Sequence, residues 1–253
     1  MPAKIRVMPT LLYKDLGLVK GKSFDSWRRV GSVMQAIKVY NMRGVDELVF
    51  LDISATSQGR EPDYGLIDEI ADECFMPLTV GGGIKSVEHV RSLLGVGADK
   101  VAVNSAAEEN PVLIRDIARR FGSQCVVVSI DFRRASDGRC EVYTQSGTHP
   151  TGRDPVEWAQ EVQDYEAGEI LLTSIDRDAT MTGYDIELTR KVCEAVSLPV
   201  IASGGAGEYE HMALALEEGK ASAVAAAAIY HYTERTPLEA KMYLKERGFN
   251  VRV

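Results

Sequence analysis

Asp46-Glu47-Leu48-Val49-Phe50-Leu51-Asp52-Ile53 recurs as Gly168-Glu169-Ile170-Leu171-Leu172-Thr173-Ser174-Ile175-Asp176, with the copies 122 residues apart, Glu47 against Glu169. In each, an acidic residue opens an unbroken apolar run that closes in polar side chains. The repeat extends outward from this stretch. Val80-Gly81-Gly82-Gly83-Ile84 returns as Ala202-Ser203-Gly204-Gly205-Ala206, and Val101-Ala102-Val103-Asn104-Ser105-Ala106-Ala107 as Ala223-Val224-Ala225-Ala226-Ala227-Ala228-Ile229. Val127-Val128-Ser129-Ile130-Asp131 pairs with Met8-Pro9-Thr10-Leu11-Leu12, where one copy ends in a carboxylate and the other in leucine. Segments that repeat in order at one spacing indicate two fused half-domains.

Eight β-rich runs stand out: Ile5 to Leu12, Glu47 to Ile53, Pro77 to Val80, Lys100 to Val103, Cys125 to Asp131, Glu169 to Ser174, Pro199 to Ala202 and Ala221 to Ala226. Most are continuously apolar, as strands buried on both faces are. Amphipathic stretches at Ser32 to Arg43, Val87 to Leu94, Pro111 to Arg120, Pro155 to Glu166 and Ile186 to Val196 read as helices between them. Strand–helix alternation implies parallel pairing, and eight such units close into a barrel. Four strands per half favour closure over a doubly wound open sheet. The expectation is a single (β/α)8 barrel domain over residues 1–253. Two long connections, Tyr13 to Ser32 and Phe132 to Arg153, follow equivalent strands and should lie over the C-terminal mouth; the second holds a hairpin at Arg134 to Arg139.

A net charge of −8 argues against nucleic acid or an anionic membrane as partner, but leaves room for a local phosphate site. Four cysteines without Cys-x-x-Cys spacing read as reduced thiols, no apolar stretch reaches membrane length, and Met1-Pro2-Ala3-Lys4 lacks the apolar segment of a signal peptide. The expected compartment is the cytoplasm. No His, Cys and Asp cluster has metal-ligand spacing, and nothing calls for a cofactor. His149 and His231 are isolated and read as surface residues.

Gly81-Gly82-Gly83 and Ser203-Gly204-Gly205-Ala206-Gly207 each end a strand. Glycines let backbone amides approach an anion, and a following helix adds its positive end. Two such clusters at matching places suggest one phosphate in each half, hence a substrate phosphorylated at both ends. Asn104, Ser105 and Thr173 could add donors, and alanine stands where the second half would match Ser105. Asp131 ends an otherwise apolar strand, so it needs a partner or a task. For Asp52, Asp176 and Asp178, structural and binding roles are equally open. Arg6, Glu47, Lys100 and Glu169 each begin a strand. Facing inward they would form one layer of alternating charge across the barrel floor: a salt-bridge plug or, alternatively, a gate for something small.

At these residues the chain resembles the cyclase subunit of imidazole glycerol phosphate synthase, over essentially its whole length. Asp46 to Ile53, Thr79 to Ile84, Gly122-Ser123-Gln124, Gly168 to Asp178, Ile201 to Gly207 and Asn250-Val251-Arg252 carry the resemblance. It implies a barrel that receives ammonia from a separate glutaminase subunit through the floor and adds it to a phosphorylated substrate at the mouth. By resemblance, Arg6, Glu47, Lys100 and Glu169 are the ammonia gate, Asp99 faces the glutaminase, and Lys20 is a mobile-loop lysine that contacts substrate. Gly82, Asn104 and Ser105 would hold one phosphate, and Gly204, Gly205 and Ala228 the other. The family closes its imidazole ring with two aspartates; Asp131 matches one and Leu12 stands at the other. Ala179 replaces a family glycine, and Ala228 a phosphate-site serine. Leu11 to Lys20 is similar to a divergent branch found with surface-polysaccharide genes, which implies ammonia supply for amidine formation by a dedicated sugar-modifying enzyme. Two classes of function follow: a histidine-pathway cyclase that tolerates Leu12, and a conduit that passes ammonia to a third protein. A phosphosugar isomerase of the same ancestry is a more distant third, since its two-acid chemistry meets the same missing residue.

Overall fold

The computed structural model describes residues 4–15 and 17–253. Met1 to Ala3, and Leu16 in the stretch from Leu11 to Lys20, lie outside the described residues. In chain order the strands are β1 (Arg6–Lys14), β2 (Gly17–Lys22), β3 (Asp25–Gly31), β4 (Leu48–Asp52), β5 (Leu78–Gly81), β6 (Lys100–Val103), β7 (Val126–Arg134), β8 (Cys140–Thr144), β9 (His149–Pro150), β10 (Glu169–Ser174), β11 (Val200–Ser203) and β12 (Ala223–Ala226). Eight of them pair in parallel in the order β1-β4-β5-β6-β7-β10-β11-β12, and β12 returns to β1 with Arg6 opposite Ala223. The sheet therefore closes, and the chain forms a (β/α)8 barrel. Closure removes the exposed edges of a parallel sheet, which explains why its short strands carry so few charges.

The two long connections are largely strand, and the hairpin expected at Arg134 to Arg139 joins β7 to β8. β2 and β3 extend β1 as antiparallel strands, and β8 and β9 do the same on β7. Strand β1 thus continues to Lys14, beyond the expected end at Leu12. These two excursions hold equivalent places in the halves.

Helices Val33–Met42, Tyr64–Glu73, Val87–Gly95, Val112–Phe121, Pro155–Asp164, Ile186–Ala195, Tyr209–Glu217 and Pro237–Glu246 surround the barrel. Side chains cap many of their first turns: Ser32 accepts from the Gln35 amide, Asp63 from Leu66, Ser86 from His89 and Asp185 from Leu188. Thr236 and Glu239 form a reciprocal capping box around Pro237 at the first helical position. A large apolar layer lies between strands and helices, and a separate inner cluster fills the barrel with Met8, Val49, Ala102, Val127, Leu171, Ile201, Ala223 and Ala225. Among the described residues, no helix is long and apolar enough to cross a membrane.

Strand register fixes how the halves superimpose. Thr10 lies opposite Val49, as Ser129 lies opposite Leu171; Leu12 lies opposite Leu51, as Asp131 lies opposite Thr173. Lys100 pairs with Thr79 but Ala223 pairs with Ile201, so the spacing grows by one residue at the last strand of each half. Ser105 therefore matches Ala228 rather than Ala227, and Asn104 matches Ala227. Both pairs open short helices, Ser105–Glu109 and Ala228–Tyr232.

Candidate active site at the barrel mouth

A cavity of about 1300 Å³, including space open to solvent, occupies the C-terminal mouth. Its lining includes Lys20, Asp52, Gly82, Asn104, Ser105, Asp131, Thr173, Asp178, Gly204, Gly205 and Ala228, which sequence reasoning had chosen as site residues, and Leu12 and Ala179 with them. That volume admits a ligand the size of a phosphorylated sugar.

Asp131 sits at the centre of the polar wall. The Asn104 amide Nδ2 donates to it at 2.9 Å and Ser129 Oγ at 3.4 Å. Burial pushes its carboxyl from an ordinary 3.8 up to about 7; hydrogen bonds from Ser129 and Thr173 pull the other way, and the Asp178 carboxylate adds to the rise. A carboxyl that titrates near neutrality can give and take a proton under physiological conditions, which is what general acid–base work requires.

The other expected site residues are engaged in different ways. Asn104 is turned toward Asp131 instead of an anion, and its Oδ1 is buried without a partner. Ser105 Oγ accepts from the Gln145 amide at 2.9 Å, which leaves its own hydrogen free to donate. Asp52 shapes the turn after β4: it accepts from the amides of Ser54 and Ala55 and pairs with Arg60 at 3.1 Å. Its role in the fold is explicit, although it also lines the cavity. Asp176 is exposed and accepts from the Arg134 amide at 2.7 Å, away from the cavity lining. Lys20, on β2, is 1% exposed, and its Nζ lies 2.7 Å from both carboxylate oxygens of Asp178. The two hold the β2–β3 excursion over the mouth. Ala179 takes φ +57°, a backbone conformation that glycine adopts more cheaply by about 1 kcal/mol.

The glycines answer to packing as well as to anions. A Cβ on Gly82 would stand 2.2 Å from the Asp52 carbonyl, and one on Gly204 would stand 2.5 Å from the Ser174 carbonyl, the same contact in each half. Glycine at these positions is therefore required with or without a phosphate.

His231 corrects the expectation of a surface residue. It is partly buried on the short helix after β12, and burial, then the neighbouring Lys20 charge, lower it to about 4, so it is neutral at pH 7. His149 is exposed. Sequence reasoning missed Thr10, Phe24, Trp27, Lys85 and Glu109, which all line the cavity. Thr10 and Lys85 were within reach: the former matches Ser129, and the latter follows the first glycine cluster where Gly207 follows the second.

At the floor, Arg6 Nη1 lies 2.7 Å from Glu47 and 3.0 Å from Glu169, and Lys100 Nζ lies 3.0 and 3.2 Å from the same carboxylates. The four side chains close an alternating ring. Thr79 Oγ1 adds a hydrogen bond to Glu47 at 2.7 Å. Burial opposes the Arg6 charge, but Glu169 and Glu47 together hold the guanidinium above its ordinary value. Asp99, on the same end, is exposed, and its carboxylate accepts from the Leu78 amide at 2.8 Å. Among the described residues, no three His, Cys, Asp or Glu side chains come together to hold a metal ion.

Compared with known proteins, the chain matches the family model described as histidine biosynthesis protein over residues 6–235, which takes in the whole closed barrel and both ends of it.

Proposed function

The chain belongs to the histidine biosynthesis protein family, and within it we propose an ammonia-handling barrel subunit of a glutamine amidotransferase, similar to the cyclase subunit of imidazole glycerol phosphate synthase. The observation that carries this reading is the floor ring. An isolated salt-bridge plug needs only stability, and packed apolar residues would supply that at lower desolvation cost. A ring in which one of the two cations, Lys100, sits on a flexible unbranched stem beneath an apolar interior suits intermittent passage of a small neutral molecule. Ammonia can cross the inner cluster around Ala102, Ala223 and Ala225 uncharged. A glutaminase partner would dock on the floor face. Phe75 at 85% and Met42 at 79% exposure stand at the floor ends of neighbouring helices, joined through Asn41, and offer apolar surface there.

Two uses of the ammonia are distinguished by Leu12. A second proton-transfer group is worth on the order of a hundredfold to ten-thousandfold in rate. Its replacement by leucine favours delivery to a third protein, such as one that builds a sugar amidine. Asp131, titrating near neutrality, favours chemistry retained at the mouth, as in a histidine-pathway cyclase. The experiment supplies a co-purified glutaminase with amide-labelled [15N]glutamine and follows the label. Lys100→Ala should disturb transfer at least tenfold in either case. Asp131→Asn should leave delivery to a third enzyme intact if the barrel is a conduit, and abolish turnover of the histidine-pathway bisphosphate if it is a cyclase. Free exchange of label with bulk ammonium in the wild-type complex would sink the channel reading.

A further inference from the structure

Superimposing the halves by strand register shows that the mouth is two unlike arcs. One runs along β5, β6, β7 and β10 and presents Gly82, Ser105, Asn104, Asp131 and Thr173. The other runs along β12, β1 and β4, where the matched positions are Ala228 for Ser105, Ala227 for Asn104, Leu12 for Asp131 and Leu51 for Thr173. Each of these four polar side chains has an apolar match in the second arc; Ser129, matched by Thr10, keeps a hydroxyl in both. The difference extends to charge. Lys85 follows the first glycine cluster and lines the cavity, while Gly207 holds its place in the second half.

Across the whole lining, Lys20 is consumed by Asp178, and Asp52 is balanced by Arg60. Lys85 then stands against Glu109 and Asp131. A phosphate ester carries about −1.5 to −2 at neutral pH. One such group fits beside Lys85, the Ser105 hydroxyl and the backbone of Gly82 and Gly83. A second, at Gly204 and Gly205, would meet Ala227 and Ala228 where the first meets Asn104 and Ser105, and Gly207 stands where the first has Lys85. The hydroxyls of Thr10 and Ser203 remain on that side, but with Lys20 held by Asp178 no free cation among the described lining residues offsets the burial of a second charge there. Two aromatic rings, Phe24 and Trp27, 6.5 Å apart, close the cavity from the β2–β3 excursion.

A second observation points to an absent ligand. The Thr10 hydroxyl, 7% exposed on the inward side of β1, has no hydrogen-bond partner. Its counterpart Ser129 donates to Asp131 two residues on, whereas two residues after Thr10 stands Leu12. Asn104 Oδ1 is likewise unpartnered. Buried polar groups in native folds are satisfied, so an orphan donor and an orphan acceptor lining one cavity call for a ligand that supplies both.

We propose that the mouth binds a ligand phosphorylated at one end only, with the phosphate at Gly82, Lys85 and Ser105 and an uncharged ring whose apolar face lies against Leu12, Leu51, Phe24 and Trp27 and whose polar edge meets Thr10 and Asn104. This deepens the reading of the mouth as an acceptor site and departs from the two-phosphate substrate that the paired glycine clusters suggested. Glycine clusters alone do not distinguish the two, because backbone packing requires them in both halves.

Calorimetric titration of the full chain with phenyl phosphate, inorganic phosphate and fructose 1,6-bisphosphate tests the proposal. Phenyl phosphate should bind one to one and at least tenfold more tightly than either of the others. Lys85→Ala should weaken phenyl phosphate about tenfold, and Leu12→Asp should erase its advantage over inorganic phosphate. If Leu12→Asp does not fold, Trp27→Ala should reduce the same advantage. Tighter binding of the bisphosphate, two phosphates per chain, no binding of phenyl phosphate, or a preference untouched by the variant that folds would overturn the proposal. The titration uses neither ammonia nor glutaminase, so its failure leaves the channel reading standing, and a failed label-transfer experiment leaves the titration result intact.

Discussion

Asp131 couples the chemistry of the mouth to stability. Its carboxyl titrates at about 7 in the fold and near 3.8 in the unfolded chain. Below about pH 4 both states are protonated and the residue is neutral to folding. Between about pH 4 and 7 the unfolded chain ionises while the fold holds its proton, so stability falls as pH rises; above 7 the loss is complete. The loss is at most on the order of 4 kcal/mol. Asp131→Asn keeps an acceptor for Asn104 and removes the titration. The variant should be more stable than wild type at pH 8 and equal to it near pH 4, with melting temperature followed against pH. Parallel curves for the two proteins would show that the carboxyl is not held up by its surroundings. That Asp131 needs a task was legible from one carboxylate in an apolar strand. Its proton affinity was not, because it arises first from burial, which the closed barrel makes, with Ser129 and Thr173 pulling it down and the distant Asp178 adding to the rise.

The β2–β3 excursion is the element that decides access to the mouth. Beyond the pairing of β2 on β1, its ties include Lys20 on Asp178, the Ser23 amide on the Asp178 carbonyl, Tyr232 Oη on the Lys20 carbonyl, and Arg28 at 4.2 Å over the Tyr232 ring. Breaking a buried ion pair by removing one partner costs about 3–5 kcal/mol. Lys20→Met should therefore loosen β2 and β3 selectively. Amide exchange in residues 17–31 should accelerate at least tenfold, with β4 to β7 unchanged; uniform protection throughout would show that the tether is not Lys20. The strands of this stretch were not legible in sequence because Lys14, Asp15, Lys20, Gly21 and Lys22 break its apolar pattern. Its strands form only because β1 runs on to Lys14 and offers an edge. Helix Pro237–Glu246 went unread for a different reason: Thr236-Pro237 with Glu239 is a plain start signal, but the helix follows the last strand and lies outside the strand-to-strand spacing that guided the reading.

At the scale of the molecule, the barrel has a sealed end and an open one. Glu47 is the hub of the seal, since it accepts from Arg6, Lys100 and Thr79 and is 2% exposed. Glu47→Gln leaves two cations to share Glu169, and should cost about 3–5 kcal/mol in denaturant unfolding. The double change Glu47→Gln with Lys100→Met should recover part of that loss. A single variant as stable as wild type would mean that water already solvates the ring. The ring is not two-fold symmetric: the glutamates match between halves, but Arg6 and Lys100 have Cys125 and Ala223 at their equivalent places.

The sequence by itself determined the barrel. Eight apolar runs, repeated four and four with their glycines and terminal acids, leave no other closed parallel arrangement, because strands buried on both faces need helices outside and partners on each edge. It also determined that Leu12 stands where Asp131 has its match, since that comparison needs only spacing. Tertiary structure alone decided what this means for the mouth. Leu51, Ala227 and Ala228 join Leu12 in one arc only when β12 closes on β1. Thr10 is left without a partner only because Leu12 stands two residues on, on the same inward face. Contacts between residues more than a hundred positions apart are made by closure of the sheet, and no local pattern along the chain encodes them.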